Sequence, residues 1–176
     1  MEHKILDIMF YEENPESVFE IGCGEGGLLK DIKHYYKGIK VGGMDVSQLK
    51  LATARQNLPE DTENLLNWDI NDTWPVPDKS YDVVFSVGVL MYMFDPLPIL
   101  REMLRVAKTK IILAEYHHHE IGPFGAMTRA YINEDKIHMG IIRDYVGLLK
   151  LLKIPLSVSI QDCDNDKTII KCTLQK

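Results

Sequence analysis

The chain has 176 residues, 45% hydrophobic and 26% charged, with a formal net charge of −6. That length fits one domain, 1–176; the acidic balance argues against a sequence-independent grip on nucleic acid, and no apolar run reaches the roughly 18 residues a membrane helix needs. Met1-Glu2-His3-Lys4 carries no secretory pattern, and Cys23, Cys163 and Cys172 lack CxxC spacing, so free thiols in a reducing cytoplasm are expected, as a monomer or homodimer and without a metal site.

Ile5, Leu6, Met9 and Phe10 recur at helical spacing, and Asn14-Pro15 ends that helix. It either packs on a sheet edge or covers a ligand. Val18-Phe19-Glu20-Ile21 is then a short apolar run. Glycines at 22, 24, 26 and 27 interrupt it before helix formers resume at Leu28. This order predicts a buried strand, a tight turn and a helix start. Glycine permits positive φ and close approach of a ligand to the backbone, and a helix start has amides without intrahelical partners. Such a corner binds nucleotides at the carboxyl edge of an open α/β sheet.

The glycines also fit G-x-G-x-x-G, so they leave the ligand open. Glu20 and Glu25 bear on the choice. Carboxylates there would repel a pyrophosphate by several kcal/mol if poorly screened, and they would tolerate a cationic ligand.

A helix is predicted over Leu28 to Tyr36, with Gly38 as its stop. Ile39 to Met44 forms a second strand ending at Asp45. That carboxylate is placed to accept hydrogen bonds from ribose hydroxyls, or it merely begins the next turn. Ser47 is an N-cap for a helix Gln48 to Asn57. Asn64 to Asn67 reads as a third strand, followed by Trp68-Asp69-Ile70. Trp74 to Ser80 is a proline-rich turn. Tyr81 to Phe85 enters a buried strand, and Ser86 to Tyr92 leaves it beside the glycine turn.

A helix follows from Asp95-Pro96, with Leu100, Met103, Leu104, Val106 and Ala107 as its apolar stripe. A fifth strand spans Ile111 to Glu115. Residues Tyr116 to Ile142 form an irregular stretch, expected to overhang the crevice as an acceptor-binding lid, with a helical turn around Ala126 to Tyr131. Asp144 to Leu152 is a helix. Ser157 to Gln161 and Thr168 to Leu174 form a closing hairpin around Asp164-Asn165-Asp166-Lys167.

Three passages carry a family resemblance. Glu20-Ile21-Gly22-Cys23-Gly24-Glu25-Gly26 resembles the first motif of class I S-adenosylmethionine-dependent methyltransferases. Trp74-Pro75-Val76-Pro77-Asp78-Lys79-Ser80-Tyr81-Asp82-Val83-Val84 is similar to their "lPf-D-x-S-F-D-x-V" passage. Leu100 to Lys108 resembles their "E-x-x-R-V-L-K" helix, without the usual Pro-Gly-Gly after it. Glu115-Tyr116 with Arg143-Asp144-Tyr145 has a faint likeness to methyltransferases associated with pseudaminic acid biosynthesis.

The resemblance implies an α/β, Rossmann-like, doubly wound, seven-stranded and mostly parallel sheet, closed by an antiparallel hairpin and flanked by helices on both faces. It implies methyl transfer from S-adenosylmethionine to an oxygen or nitrogen of a small molecule, carbohydrate-type on the fainter likeness. Glu20, Gly22, Cys23, Gly24 and Gly26 would flank the methionine and ribose. Asp45 and Val46 would hold ribose and adenine, Asp69 and Ile70 the adenine, and Ser86 and Val87 would border the methyl group.

Tyr92, Tyr116, Arg129, His138 and Arg143 are candidate acceptor contacts. In an extended Glu115-Tyr116-His117-His118-His119, His117 and His119 point the same way. They read as a general base, as metal ligands, or as a solvated loop. Two other functions stay open: a binding module that holds the donor without turnover, and a small NAD-dependent oxidoreductase.

Overall fold

The computed structural model describes residues 6, 9, 10, 14–122, 127–133, 136–162 and 167–175, and side chains outside 127–139 and 162. Its centre is a sheet of seven strands: β1 (Ser17–Ile21), β2 (Lys40–Asp45), β3 (Leu65–Asn67), β4 (Tyr81–Val87), β5 (Ala107–Glu115), β8 (Leu156–Asp162) and β9 (Thr168–Leu174). The spatial order is β3-β2-β1-β4-β5-β9-β8. The first four pairings are parallel. The pairs β5–β9 and β8–β9 are antiparallel, so the last two strands close the sheet as the sequence predicts. Residues 163–166, most of the expected turn, lie outside the described residues.

Alternation along the strands divides the core into two layers. Phe19, Ile21, Met44, Val84, Ile111 and Leu113 face helices α3 (Leu97–Val106) and α4 (Tyr145–Leu151). Val18, Val41, Val83, Phe85, Ile112 and Ala114 face α1 (Gly27–Tyr35) and α2 (Gln48–Asn57). Leu6, Met9 and Phe10 are helical and join this second layer. Phe10 sets its ring edge-to-face on Phe85 at 5.8 Å between centroids. This segment therefore packs on the sheet. Among the described residues no helix is long and apolar enough to cross a membrane.

Local chemistry explains the helix boundaries. Gly26 takes φ 73° at the start of α1, a left-handed conformation that suits glycine. The Ser47 hydroxyl accepts from Lys50 N at 3.3 Å and caps α2. Asp95 Oδ1 accepts from Leu97 N at 3.0 Å ahead of α3, and Asp144 Oδ1 accepts from Gly147 N at 2.8 Å to cap α4.

The missing Pro-Gly-Gly after α3 has a structural replacement. Strand β5 begins at Ala107 directly after the helix. Lys79 Nζ donates to Leu104 O at 3.1 Å and to Ala107 O at 2.8 Å, and the amides of Lys79 and Ser80 donate to Arg105 O and Val106 O. The turn before β4 thus satisfies the carbonyls a glycine cap would otherwise leave to its own chain.

The stretch expected to be irregular holds a two-stranded antiparallel hairpin, β6 (Met127–Asn133) and β7 (Lys136–Ile142). The helical turn expected around 126–131 is corrected to strand from Met127; Ala126 lies outside the described residues. The pairing is what decides. Thr128, Tyr131 and Ile132 are good strand residues, but an isolated strand gains no ladder hydrogen bonds. Gly140 in β7 lies against the Met91 side chain, with no room for a Cβ.

Candidate functional site

The carboxyl ends of β1, β2 and β4 meet at a cavity of about 450 Å³, lined among others by Gly22, Asp45, Val46, Trp68, Asp69 and Ile70. Val87, Gly88, Val89, Tyr92 and Met93, from the end of β4 and the loop after it, line it as well. Parallel strands carry their loops to this edge, where α/β sheets bind ligands.

The glycine turn is shaped by positive φ at Gly22, Gly24 and Gly26. Gly24 N donates to Asp45 Oδ2 at 2.9 Å, and Ser47 N donates to Asp45 Oδ1 at 2.8 Å. Asp45 therefore ties the glycine turn to the start of α2 and still lines the cavity. One backbone bond on each oxygen leaves acceptor capacity for a ligand. Asn67, a residue the sequence reading did not single out, donates from Nδ2 to Asp45 O at 3.0 Å and Val46 O at 2.9 Å. It fixes the backbone that carries both. Its only sequence signal is its place at the end of a strand.

Other expected residues divide between the lining and the wall behind it. Val46, Asp69, Ile70, Val87 and Tyr92 line the cavity. The Trp74 indole N–H donates to Ile70 O at 3.0 Å and holds that loop. Asp69 Oδ1 accepts from Asn71 N and Nδ2 at 2.9 and 2.8 Å. Gly26 packs against Ala54 and Leu58 of the α2 region, so its place is at a helix contact. Cys23 is buried and donates its amide to Met44 O at 3.0 Å.

Glu20 is buried as well, and burial with the nearby Asp45 charge raises its pKa from 4.5 to about 8. This corrects the charge argument made from Glu20. At neutral pH the free protein holds that carboxyl mostly protonated, and the charged side chains that line the cavity are those of Asp45, Asp69 and Lys50. Glu25 is exposed.

Ser86 is fully buried and its hydroxyl donates to Glu115 Oε1 at 2.9 Å. The same oxygen accepts from Val89 N at 3.0 Å and Leu90 N at 3.2 Å. Glu115, at the end of β5, thereby fixes the loop that forms the cavity's far wall. Sequence reading placed Glu115 beside the histidines and missed this role, because the three donors lie more than twenty residues upstream.

The two histidines sit in different surroundings. His117 has its side chain largely buried, and its Nδ1 accepts from Tyr145 N at 3.2 Å. That bond puts the ring proton on Nε2, and burial pushes its pKa down. His119 is exposed in the turn His119–Ile121 and stacks on His118. The extended course expected through His119 breaks at that turn. Among the described residues no three His, Cys, Asp or Glu side chains gather as a metal site.

Arg143 is buried and donates from Nη2 to Phe94 O at 2.7 Å. Tyr116 is half-buried, with Lys167 Nζ 6.0 Å from its ring centre. Arg129 and His138 fall in β6 and β7, where their side chains lie outside the described residues.

Known proteins match this arrangement. The family described as methyltransferase domain matches residues 19–114. Ajmaline N-methyltransferase of Rauvolfia serpentina is 29% identical over 120 residues, 64% of this chain and 40% of that protein. Trans-aconitate 2-methyltransferase of Delftia acidovorans is 36% identical over 77 residues, 43% of this chain and 28% of that protein. The chain thus spans 40% or less of the length of these curated relatives. The crystal structure of a SAM-dependent methyltransferase from Aquifex aeolicus shares the fold, with TM-score 0.69 and 18% identity over 99% of this chain and 89% of that one. With more than half of its residues matched by the family and the sheet order just described, the chain belongs to the class I S-adenosylmethionine-dependent methyltransferases.

Proposed function

We propose that the chain binds S-adenosylmethionine in the cavity and catalyses methyl transfer to an oxygen or nitrogen of a small molecule. The observation that carries this is the joining of Gly22, Asp45, Ile70 and Val87 around one cavity of about 450 Å³. That volume lies within the roughly 300–1,000 Å³ usual for cofactor-sized sites. The bare α-carbon of Gly22 keeps the floor open beside Val89, and the Asp45 carboxylate suits ribose hydroxyls. Exposed Val46 and Trp68 offer apolar faces to an adenine.

When bound, the cofactor supplies an electrophilic methyl group on a sulfonium. The residues align and shelter. Asp45 would fix the ribose, and Asp69 with Ile70 the adenine edge. Val87, Gly88 and Val89 would wall the methyl against water, and Glu115 would hold that wall through its three hydrogen bonds. Orientation of this kind is worth up to roughly 7–11 kcal/mol. Glu20 would answer the sulfonium from behind the glycine turn. With the methyl so aligned, the acceptor's oxygen or nitrogen would take it from the sulfonium, leaving S-adenosylhomocysteine, and would release its proton to solvent.

The small-molecule acceptor follows the relatives, which are named for ajmaline and for trans-aconitate. A carbohydrate-type acceptor is part of this proposal, on the likeness of the Glu115-Tyr116 and Arg143-Asp144-Tyr145 passages. Titration calorimetry with S-adenosylmethionine, S-adenosylhomocysteine and NAD tests the site. The expected result is binding of the first two and not of NAD. Formation of S-adenosylhomocysteine with an acceptor panel tests turnover; binding without it on any acceptor would favour a module that only holds the donor.

A further inference from the structure

Behind the cavity wall, three polar atoms are buried without a hydrogen-bond partner: Glu115 Oε2, Arg143 Nη1 and Tyr145 Oη. The latter two belong together. Arg143 and Tyr145 flank the N-cap of α4, and the Tyr145 hydroxyl feels both the Arg143 and the Glu115 charge. Arg143 is 6% exposed. A guanidinium is always charged and carries five donors. Among the described residues no carboxylate stands within ion-pair distance of it. Among the same residues its hydrogen bond to the backbone runs from Nη2 to the Phe94 carbonyl.

A buried charge is normally paired, because leaving water is costly without a counter-ion. Here no counter-charge is found among the described residues, and the Tyr145 hydroxyl lies beside the guanidinium, its oxygen turned to Arg143 and its own proton without an acceptor. Two convergent donors, one of them cationic, match an anionic oxygen pair. The place is adjacent to the cavity. Phe94 follows Met93, which lines it, and Glu115 holds Val89 and Leu90 of the intervening turn. The ring of Phe94 stands 94% exposed on that turn, ready to contact the body of a molecule whose charged end lies beneath.

We propose that Arg143 and Tyr145 form the anchor for a carboxylate of the acceptor, reached past the Leu90–Phe94 turn, so that the substrate is a small organic acid. This rests on the acceptor site proposed above. Glu115 sets the limit of the anchor. Its free oxygen faces the same interior and disfavours a second negative charge, so a monocarboxylate fits and a dianion does not.

The test is equilibrium binding of acetate, benzoate and glucuronate, with acetamide, benzamide and glucose as uncharged counterparts, to the full chain saturated with S-adenosylhomocysteine. The carboxylates are expected to bind more tightly than their counterparts, and Arg143→Met to weaken them about tenfold or more. Tyr145→Phe removes a hydroxyl that neighbours the Arg143 guanidinium, so it should melt close to the parent and still weaken carboxylates several-fold. Affinity for S-adenosylhomocysteine should not change in either variant.

Equal binding of charged and neutral probes, no binding of any carboxylate, or carboxylate binding untouched by Tyr145→Phe would overturn the anchor. Loss of S-adenosylhomocysteine affinity in Arg143→Met would instead assign the anion to the cofactor's own carboxylate, which also overturns it. A parent protein that bound carboxylates but not S-adenosylhomocysteine would sink the methyltransferase reading while the anchor stood.

Discussion

A Cβ built on Gly22 would stand 2.6 Å from Val89 Cγ2. The first glycine of the turn and the loop after β4 are thus fitted to each other across the cavity floor, and Gly22 also sits at φ 68°. Gly22→Ala should therefore cost roughly 1–2 kcal/mol for the left-handed backbone and push Val89 into the cavity. Cofactor affinity should fall by about tenfold or more. Adding Val89→Ala should restore much of the affinity and little of the stability, since it relieves the contact and not the φ. Calorimetry and thermal melts on the single and double variants separate these effects.

Asp45 serves two masters, the backbone and the ligand. Asp45→Asn turns one acceptor oxygen into a donor facing either Gly24 N or Ser47 N, the two amides that donate to its carboxylate. Affinity for S-adenosylhomocysteine should drop by about tenfold or more, because charged hydrogen bonds contribute roughly 1.5–3 kcal/mol each. Unchanged affinity would remove Asp45 from the ribose site.

Glu20 predicts a pH dependence. Its folded pKa, about 8, lies above its ordinary 4.5. A raised carboxyl pKa means that the folded state keeps the proton while the unfolded chain has lost it. The contribution is complete below about pH 4.5 and is lost progressively as pH rises toward 8. The parent should melt lower at pH 8 than at pH 5, and Glu20→Gln should flatten that slope. Glu115, also raised by burial, keeps a residual slope in that variant. A cationic donor should favour ionised Glu20, so its binding should release protons near neutral pH, seen as a buffer-dependent calorimetric heat. An identical melting profile in Glu20→Gln would contradict the assignment.

Glu115 gathers one hydroxyl and two amides on a single oxygen. Glu115→Ala should orphan all three, at roughly 1–3 kcal/mol for each donor that water does not reach. It should also loosen the wall from Ser86 to Leu90 and weaken cofactor binding. Glu115→Gln keeps an acceptor oxygen and should be much milder on both counts. Urea midpoints and S-adenosylhomocysteine affinity measured together distinguish this from a role in chemistry alone.

The sequence by itself determined the local pattern: an apolar strand, a glycine turn and a helix, an acid at the end of the next strand, a rigid turn before a buried fourth strand, and a closing antiparallel pair. Each is written in neighbouring residues, because glycine conformations, caps and strand alternation depend on short-range sterics. Only the tertiary structure decided the protonation of Glu20, the wall-holding bonds of Glu115, the burial of His117 beside an exposed His119, the β6–β7 hairpin and the buried Arg143 beside Tyr145. These depend on how much water is excluded and which distant segment arrives at the same place, and neither quantity is carried by the residues on either side.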